Sequence, residues 1–150
     1  MAARRHKSLY IVIVGCGRLG ADLANRLSAQ GHALVVIDRD ESTFQSLTAE
    51  YSGFRLEGDA TEMEVLKQAK LSQADVFIAS TRDDNVNLMV AQIAQKLFHV
   101  PRVLARVWDP KRDQVFARLG IETVCPTSVA AGMLLDAVLG SADSQAGSQE

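Results

Sequence analysis

Short apolar runs alternate along this chain with longer segments in which apolar residues recur every three or four positions. Runs of four to six residues, bounded by glycine or polar residues, are typical of strands buried on both faces, and the longer spacing is typical of helices packed on a sheet. The predicted strands cover residues 9–14, 33–37, 54–57, 75–80, 102–107 and 121–125. The predicted helices cover residues 18–30, 41–51, 61–69, 83–98, 110–120 and 127–139.

This alternation predicts an α/β fold built from βαβ units. We expect a Rossmann-like, doubly wound, parallel six-stranded sheet with strand order 3-2-1-4-5-6 and a C-terminal crossover helix. Gly31 is a typical end of the first helix, and Thr61 with Glu64 has the spacing of a capping box at the start of the third. Right-handed crossovers would bring the carboxyl ends of all the strands to one edge.

The length of 150 residues fits one domain, and the 47% hydrophobic, 5% aromatic composition suits a Val, Ile, Leu and Ala core. We predict a domain over residues 9–139, a basic flexible N-terminus over 1–8, and a disordered tail or linker over 140–150. The apolar run before Gly15 is too short for a signal peptide or a membrane span.

Charge and cysteine content narrow the class of function. A net charge of −2 gives no electrostatic reason to expect nucleic-acid binding. Cys16 and Cys125 are far apart and lack the spacing of a metal site, so we expect a reduced, cytoplasmic setting and no bound metal.

The first strand leads into the segment Gly15-Cys16-Gly17-Arg18-Leu19-Gly20, a G-x-G-x-x-G turn. In such a turn the first glycine permits the sharp bend, the second lets the backbone approach a pyrophosphate, and the third allows close packing of helix on strand. The second strand ends in Asp38, where a carboxylate can accept hydrogen bonds from both ribose hydroxyls. Together these features predict an adenine-nucleotide site.

Further polar residues follow the ends of the predicted strands. Arg18, at the start of the first helix, can pair with a phosphate. Asp38 favours NAD(H) or ATP/ADP over NADP, although the adjacent Arg39 could accept a 2′-phosphate. Asp59 could accept a hydrogen bond from the adenine amino group, or could simply be a turn residue.

The fourth and fifth strands also end in polar residues. Ser80 and Thr81 are small enough to allow close approach of a ribose or phosphate. Arg106 lies in an apolar strand, where a buried charge requires a phosphate or carboxylate partner.

Five separated motifs resemble the N-terminal nucleotide-binding (RCK, or TrkA-N type) domain of Trk/Ktr potassium transport regulatory subunits. They are residues 15–20, 36–38, 58–61, 85–89, and Ala105-Arg106 followed by Asp109-Pro110. The resemblance extends over roughly residues 9–139.

That resemblance implies a domain that binds NAD(H), ATP or ADP and forms homodimers, which assemble into a ring beneath an integral membrane potassium channel or transporter. It implies a cytoplasmic location at the inner face of the membrane. It also places Arg18 on phosphate, Asp38 on ribose, Asp59 and Ala60 near adenine, and Ser80, Thr81 and Arg106 beside the nucleotide. Thr127 stands where some relatives have a metal-binding carboxylate, which argues against a metal role here.

The alternative function is the cofactor domain of an NAD-dependent oxidoreductase. Such an enzyme needs a proton donor or acceptor beside the nicotinamide. His6, His32 and His99 fall away from the predicted crevice, and neither Tyr10 nor Tyr51 has a lysine four residues later. We therefore expect no enzyme activity. The predicted helices 83–98 and 127–139 carry more apolar residues than one core-facing stripe needs, so they are either buried or an intersubunit surface.

Overall fold

The structure is a computed structural model that describes the backbone of residues 7–146 and the side chains of residues 7–140. The strands are β1 (Tyr10–Val14), β2 (Ala33–Asp38), β3 (Phe54–Glu57), β4 (Val76–Ala79), β5 (Arg102–Arg106) and β6 (Glu122–Val124). The α-helices are α1 (Arg18–Ala29), α2 (Met63–Gln68), α3 (Asp84–Lys96), α4 (Asp113–Arg118) and α5 (Pro126–Ala146). Short 3₁₀ helices cover Glu41–Ser46, Leu71–Gln73 and Pro110–Arg112.

The six strands form one parallel sheet in the order β3-β2-β1-β4-β5-β6, which confirms the predicted fold class and strand order. The register aligns the strand ends: Val14 of β1 lies opposite Ile37 on one side and Ala79 on the other. The carboxyl ends of β1, β2, β4 and β5 therefore meet at one edge of the sheet, as the crossover rule requires.

Helices cover both faces of the sheet, so its central strands are apolar on both sides. Val12 and Val14 of β1 face a core shared with α2, α3 and α4. Ile11 and Ile13 face a second core shared with α1 and the first 3₁₀ helix. This two-sided burial explains why β1 and β2 are continuous apolar runs rather than alternating ones.

The end of the second predicted helix and the start of the third differ from the structure. At each of these two boundaries, a nearby side chain forms hydrogen bonds with backbone groups that the predicted helix would have used. The predicted helix 41–51 is a 3₁₀ helix that ends at Ser46, where Asn25 donates to the Ser46 carbonyl and accepts from the Thr48 N–H. The capping box at Thr61 is wrong: the Thr61 hydroxyl donates to Asp59 at 2.7 Å, and α2 begins at Met63.

The last helix is longer than predicted. It continues through Gly140 to Ala146, seven residues beyond the predicted end at Leu139 and into the segment expected to be a tail. Residues 1–6 and 147–150, to which the predictions for the two termini also apply, lie outside the described residues. Within the described part of the chain, no helix is both long enough and apolar enough to span a bilayer.

The turn from β1 to α1 packs without space for side chains. A Cβ on Gly20 would lie 1.8 Å from the Gly15 carbonyl oxygen. Gly15 has φ of +97°, and a Cβ there would lie 2.9 Å from the Ser80 carbonyl carbon. Both glycines are therefore required for the helix to begin this close to the sheet.

We predict that Gly20→Ala lowers the free energy of unfolding by about 1–3 kcal/mol or more, the usual cost of overpacking a rigid site. Gly132→Ala is the matched control, because nothing lies within 4 Å of its Cβ position in α5. That variant should be neutral or more stable by about 0.5–1 kcal/mol. Urea unfolding of both variants tests this, and equal stabilities would contradict the assigned contact.

Candidate functional site

A crevice of about 1070 Å³ opens at the carboxyl edge of the sheet. The predicted site residues that line it are Gly15, Gly17, Arg18, Leu19, Asp38, Arg39, Asp59, Ala60, Ser80, Thr81 and Arg106. The structure thus brings together residues that are separated by up to 91 positions in the sequence, from Gly15 to Arg106. Cys16 and Gly20, which were also predicted, are buried members of the glycine turn and do not line the crevice.

Asp38 holds the glycine turn as well as facing the crevice. One carboxylate oxygen accepts the Cys16 N–H at 2.8 Å, and the other accepts the Asp40 N–H at 2.8 Å. A carboxylate has about four lone-pair sites, so these bonds leave capacity for a ligand hydroxyl. Gly17 has nothing within 4 Å of its Cβ position, which leaves its backbone open to the crevice.

Cys16 faces the protein interior. Its thiol contacts the Thr43 carbonyl oxygen at 3.6 Å. Burial raises the pKa of the Cys16 thiol, and the nearby Asp38 carboxylate raises it further. The thiol therefore stays protonated, and only the Cys16 backbone N–H takes part in the turn.

Ser80 supports the turn with its side chain rather than presenting its hydroxyl to the crevice. The buried hydroxyl lies 3.0 Å from the Val14 carbonyl oxygen and 3.1 Å from that of Gly15, and donates to them. The Ser80 hydroxyl is therefore already used by the protein, and close approach of a ribose or phosphate at Ser80 stays a prediction.

The sequence analysis missed the most connected polar residue of this edge, Asn87 in α3. Its side chain is fully buried and binds two other segments at once, at the ends of β4 and β5. Its oxygen accepts the Thr81 N–H at 3.0 Å and the Thr81 hydroxyl at 2.6 Å, while its amide donates to the Thr81 and Arg106 carbonyls at 3.0 Å. The signal was available, since an asparagine in an apolar helix stripe requires partners.

Asp84, also missed, fixes the loop after β5. Its buried carboxylate accepts the N–H groups of Trp108 and Asp109 at 2.8 and 3.2 Å. The Trp108 ring N–H donates to the Thr81 carbonyl at 3.4 Å. Trp108 therefore lies against the ends of both β4 and β5, and its ring lines the crevice.

Arg106 carries a positive charge in the crevice without a full set of hydrogen-bond partners. Its guanidinium lies 3.7 Å from the centre of the Trp108 ring, a cation–π contact. Its Nε is buried and has no hydrogen-bond partner among the described residues. Burial lowers the pKa of Arg106, the nearby Arg82 lowers it further, and Asp84 opposes them. The group remains charged, and an unpartnered buried N–H costs about 1–3 kcal/mol.

Asp59 turns the chain at the end of β3. Hydrogen bonds from the hydroxyl and N–H of Thr61 hold the pKa of Asp59 below its usual range, and Arg39 contributes. The Arg39 Nε lies 3.9 Å from the Asp59 carboxylate on an exposed surface, so this ion pair adds little stability. Asp59 is therefore ionised and lines the crevice, as a turn residue with one carboxylate oxygen available.

The glycine turn and the polar strand ends occur in a known family. The family model of the TrkA-N domain matches residues 11–127, from β1 to the first turn of α5. The chain belongs to the TrkA-N domain family. It is 40% identical over 131 residues to a Trk system potassium uptake protein TrkA of Streptomyces coelicolor, a match that covers 87% of this chain and 59% of that protein. The chain thus spans less than two thirds of this relative's length.

Solved structures support the same assignment for this TrkA-N domain. A structure of the GsuK channel bound to NAD matches with a TM-score of 0.76 and 27% identity, over 89% of this chain and 24% of that one. A structure of GsuK bound to ADP matches with a TM-score of 0.73 and 28% identity, over 85% of this chain and 33% of that one.

We predict that Asn87→Ala lowers the free energy of unfolding by about 1–3 kcal/mol, because it leaves the half-buried Thr81 and Arg106 backbone groups without their Asn87 partner. The matched control is Asn85→Ala in the same helix turn. The Asn85 side chain is exposed and accepts one bond, from Arg112 at 3.0 Å. Its loss should change stability by less than about 0.5 kcal/mol. Thermal or urea unfolding of the two variants gives the comparison, and similar losses would contradict the central role of Asn87.

Proposed function

We propose that this TrkA-N domain senses an adenine nucleotide, NAD(H) or ATP/ADP, and regulates a potassium channel or transporter at the cytoplasmic face of the membrane. The observation that carries the proposal is the crevice itself. It combines a bare glycine backbone at Gly17, an acceptor at Asp38, and the cations Arg18 and Arg106. The membership of the family and the NAD and ADP complexes of GsuK support it.

Each part of a nucleotide has a matching group in the crevice. The N–H groups at the start of α1 and the Arg18 side chain suit a phosphate. Asp38 suits the ribose hydroxyls, and Asp59 with Ala60 suits the adenine. Thr81 lines the crevice, and Ser80 acts by holding the glycine turn.

The Asp38 side chain disfavours a ligand with a 2′-phosphate, because a carboxylate and a phosphate would lie together. Arg39 is an exposed, weakly paired side chain that could offset this repulsion only in part. We therefore propose NAD(H) or ATP/ADP, and not NADP, as the ligands.

We predict that Asp38→Asn weakens NAD and ADP binding by about 1–3 kcal/mol, through loss of charge-assisted hydrogen bonds to the ribose. The same change should narrow the preference for NAD over NADP. Asp22→Asn is the control, because Asp22 pairs with Arg26 at 2.9 Å on the exposed side of α1. Calorimetric titration measures both, with the unfolding midpoint as a check on folding. Unchanged affinity in a folded Asp38→Asn protein would remove Asp38 from the ligand site.

The second part of the proposal is assembly into a homodimer, and from dimers into a larger ring. Every described side chain of α5 beyond Pro126 is exposed, including Met133 at 69% and Leu134 at 68%. Val129, Leu135, Val138 and Leu139 are exposed as well, and Asp136 is the one charged residue among 126–140. A helix this apolar requires a partner in water.

The long helix α3 contributes less to such a surface than the sequence suggested. Val90 and Ala91 are buried, while Leu88 and Ile93 pack against the same core. Met89 and Leu97 remain exposed. We therefore propose α5 as the main contact, with a second copy of this chain as its partner, since isologous dimers are the commonest assembly.

We predict that Met133→Glu converts the protein to a monomer that still binds nucleotide, because it places a charge in the apolar contact. Phe54→Glu is the control, as Phe54 is exposed on the edge strand β3, at the far side of the sheet from β6. Sedimentation at micromolar concentration distinguishes the variants. A monomeric unaltered protein, with and without NAD or ATP, would contradict the assembly.

The oxidoreductase alternative has little support from the crevice. His32 and His99 precede β2 and β5, at the edge of the sheet opposite the crevice, and His32 accepts the Leu9 N–H at 3.1 Å. His6 lies outside the described residues. Tyr10 donates its hydroxyl to the Ala69 carbonyl, and Tyr51 donates to that of Phe54. These groups are not available to a ligand in the crevice.

A further inference from the structure

The contact between Arg106 and Trp108 is a feature of the crevice that the proposed function leaves unexplained. We propose that Trp108 is a positioning residue, which holds the Arg106 guanidinium for an anionic group of the ligand. The stack would then set the preference for phosphorylated nucleotides over the bare nucleoside. This inference rests on the proposed nucleotide binding and deepens it.

The Trp108 ring is held in place from two sides, which a positioning residue requires. The Asp84 carboxylate accepts the Trp108 N–H at 2.8 Å, and so ties the backbone to the first turn of α3. The ring N–H donates to the Thr81 carbonyl at 3.4 Å, and so ties the ring to the end of β4. The ring presents one face to the Arg106 guanidinium at 3.7 Å.

Arg106 lacks a full set of partners within the described part of the protein. Its Nε is buried and makes no hydrogen bond there. Asp84 is the carboxylate that acts on it, but both Asp84 oxygens already accept backbone N–H groups. Arg82, also lining the crevice, adds a second positive charge. This local excess of positive charge, inside a crevice sized for a ligand, favours an anion.

Stacking on a fixed ring makes the arginine more effective toward that anion. A planar guanidinium held against an aromatic face is already ordered, so it loses less conformational entropy when a phosphate binds. The ring face also stabilises the cation by a cation–π contact. Adenosine carries no phosphate, so its affinity should not depend on the stack.

The test compares ADP with adenosine by calorimetric titration, in the unaltered protein and in Trp108 variants. Trp108→Leu should bind ADP about tenfold more weakly, as expected for loss of a partly desolvated cation–π contact, while adenosine affinity changes less than about twofold. Trp108→Phe keeps an aromatic face and should remain within about threefold for ADP. Phe54→Leu is the matched control, an aromatic-to-leucine change outside the crevice, and should alter neither ligand.

Two further variants keep the test decisive. Trp108→Met retains much of the side-chain volume without an aromatic ring, and replaces the leucine variant if that protein does not fold. Arg106→Gln should lose the same part of the affinity for ADP that adenosine lacks. The Arg106→Gln, Trp108→Leu double variant should bind ADP no more weakly than Arg106→Gln alone, because Trp108 acts through Arg106.

An unchanged ratio of ADP to adenosine affinity in both the leucine and methionine variants would overturn the inference, and so would additive losses in the double variant. If the unaltered protein binds ADP in those cases, nucleotide binding stands and only the role of Trp108 falls. If the unaltered protein binds neither ADP nor NAD, the proposed function itself fails, and this inference with it.

Discussion

The carboxyl end of β1 is a place where three pieces of backbone come closer than any side chain would allow. Gly15 lies against the carbonyl of Ser80, and Gly20 lies against the carbonyl of Gly15. The Gly15 N–H donates to the Ile37 carbonyl at 2.8 Å, so β2 belongs to the same contact. Much of the crevice is positioned relative to this contact, because α1 begins there and β2 and β4 end there.

Most polar groups at this edge maintain the edge itself. The described hydrogen bonds of the Ser80 and Asn87 side chains are all with neighbouring backbone or with Thr81. The Asp84 carboxylate accepts its hydrogen bonds from the loop after β5. The groups that remain incompletely satisfied are Arg106, the bare backbone of the glycine turn, and the carboxylates of Asp38 and Asp59, which keep capacity for a ligand. A site that offers both a cation and free acceptor capacity is suited to a ligand that carries negative charge as well as hydroxyl or amino donors.

The apolar pattern was enough to predict the fold, because the central strands β1 and β2 are buried on both faces, and α1 and α3 each have an apolar stripe that packs on the sheet. The edge residues were predictable by the same logic, since strand ends must converge in a parallel sheet. What could not be predicted is which polar atoms the protein uses for itself. Whether the Thr61 hydroxyl caps α2 or binds Asp59 depends on a competition between two local hydrogen bonds of similar energy.

The partners of Asn87 and Trp108 could not be predicted for a related reason. The apolar stripe of α3 indicates that Asn87 needs hydrogen-bond partners, but no local spacing shows which residues, distant in the sequence, Asn87 and Trp108 contact.

The last helix has a consequence of its own. α5 begins at Pro126, which lines the crevice, and runs for 21 residues away from the sheet. Such a helix is about 30 Å long, so a tilt of about 5° at its start moves its far end by about 2.6 Å. A small rotation of α5 about its crevice end, at Pro126, is therefore a larger displacement at its far end.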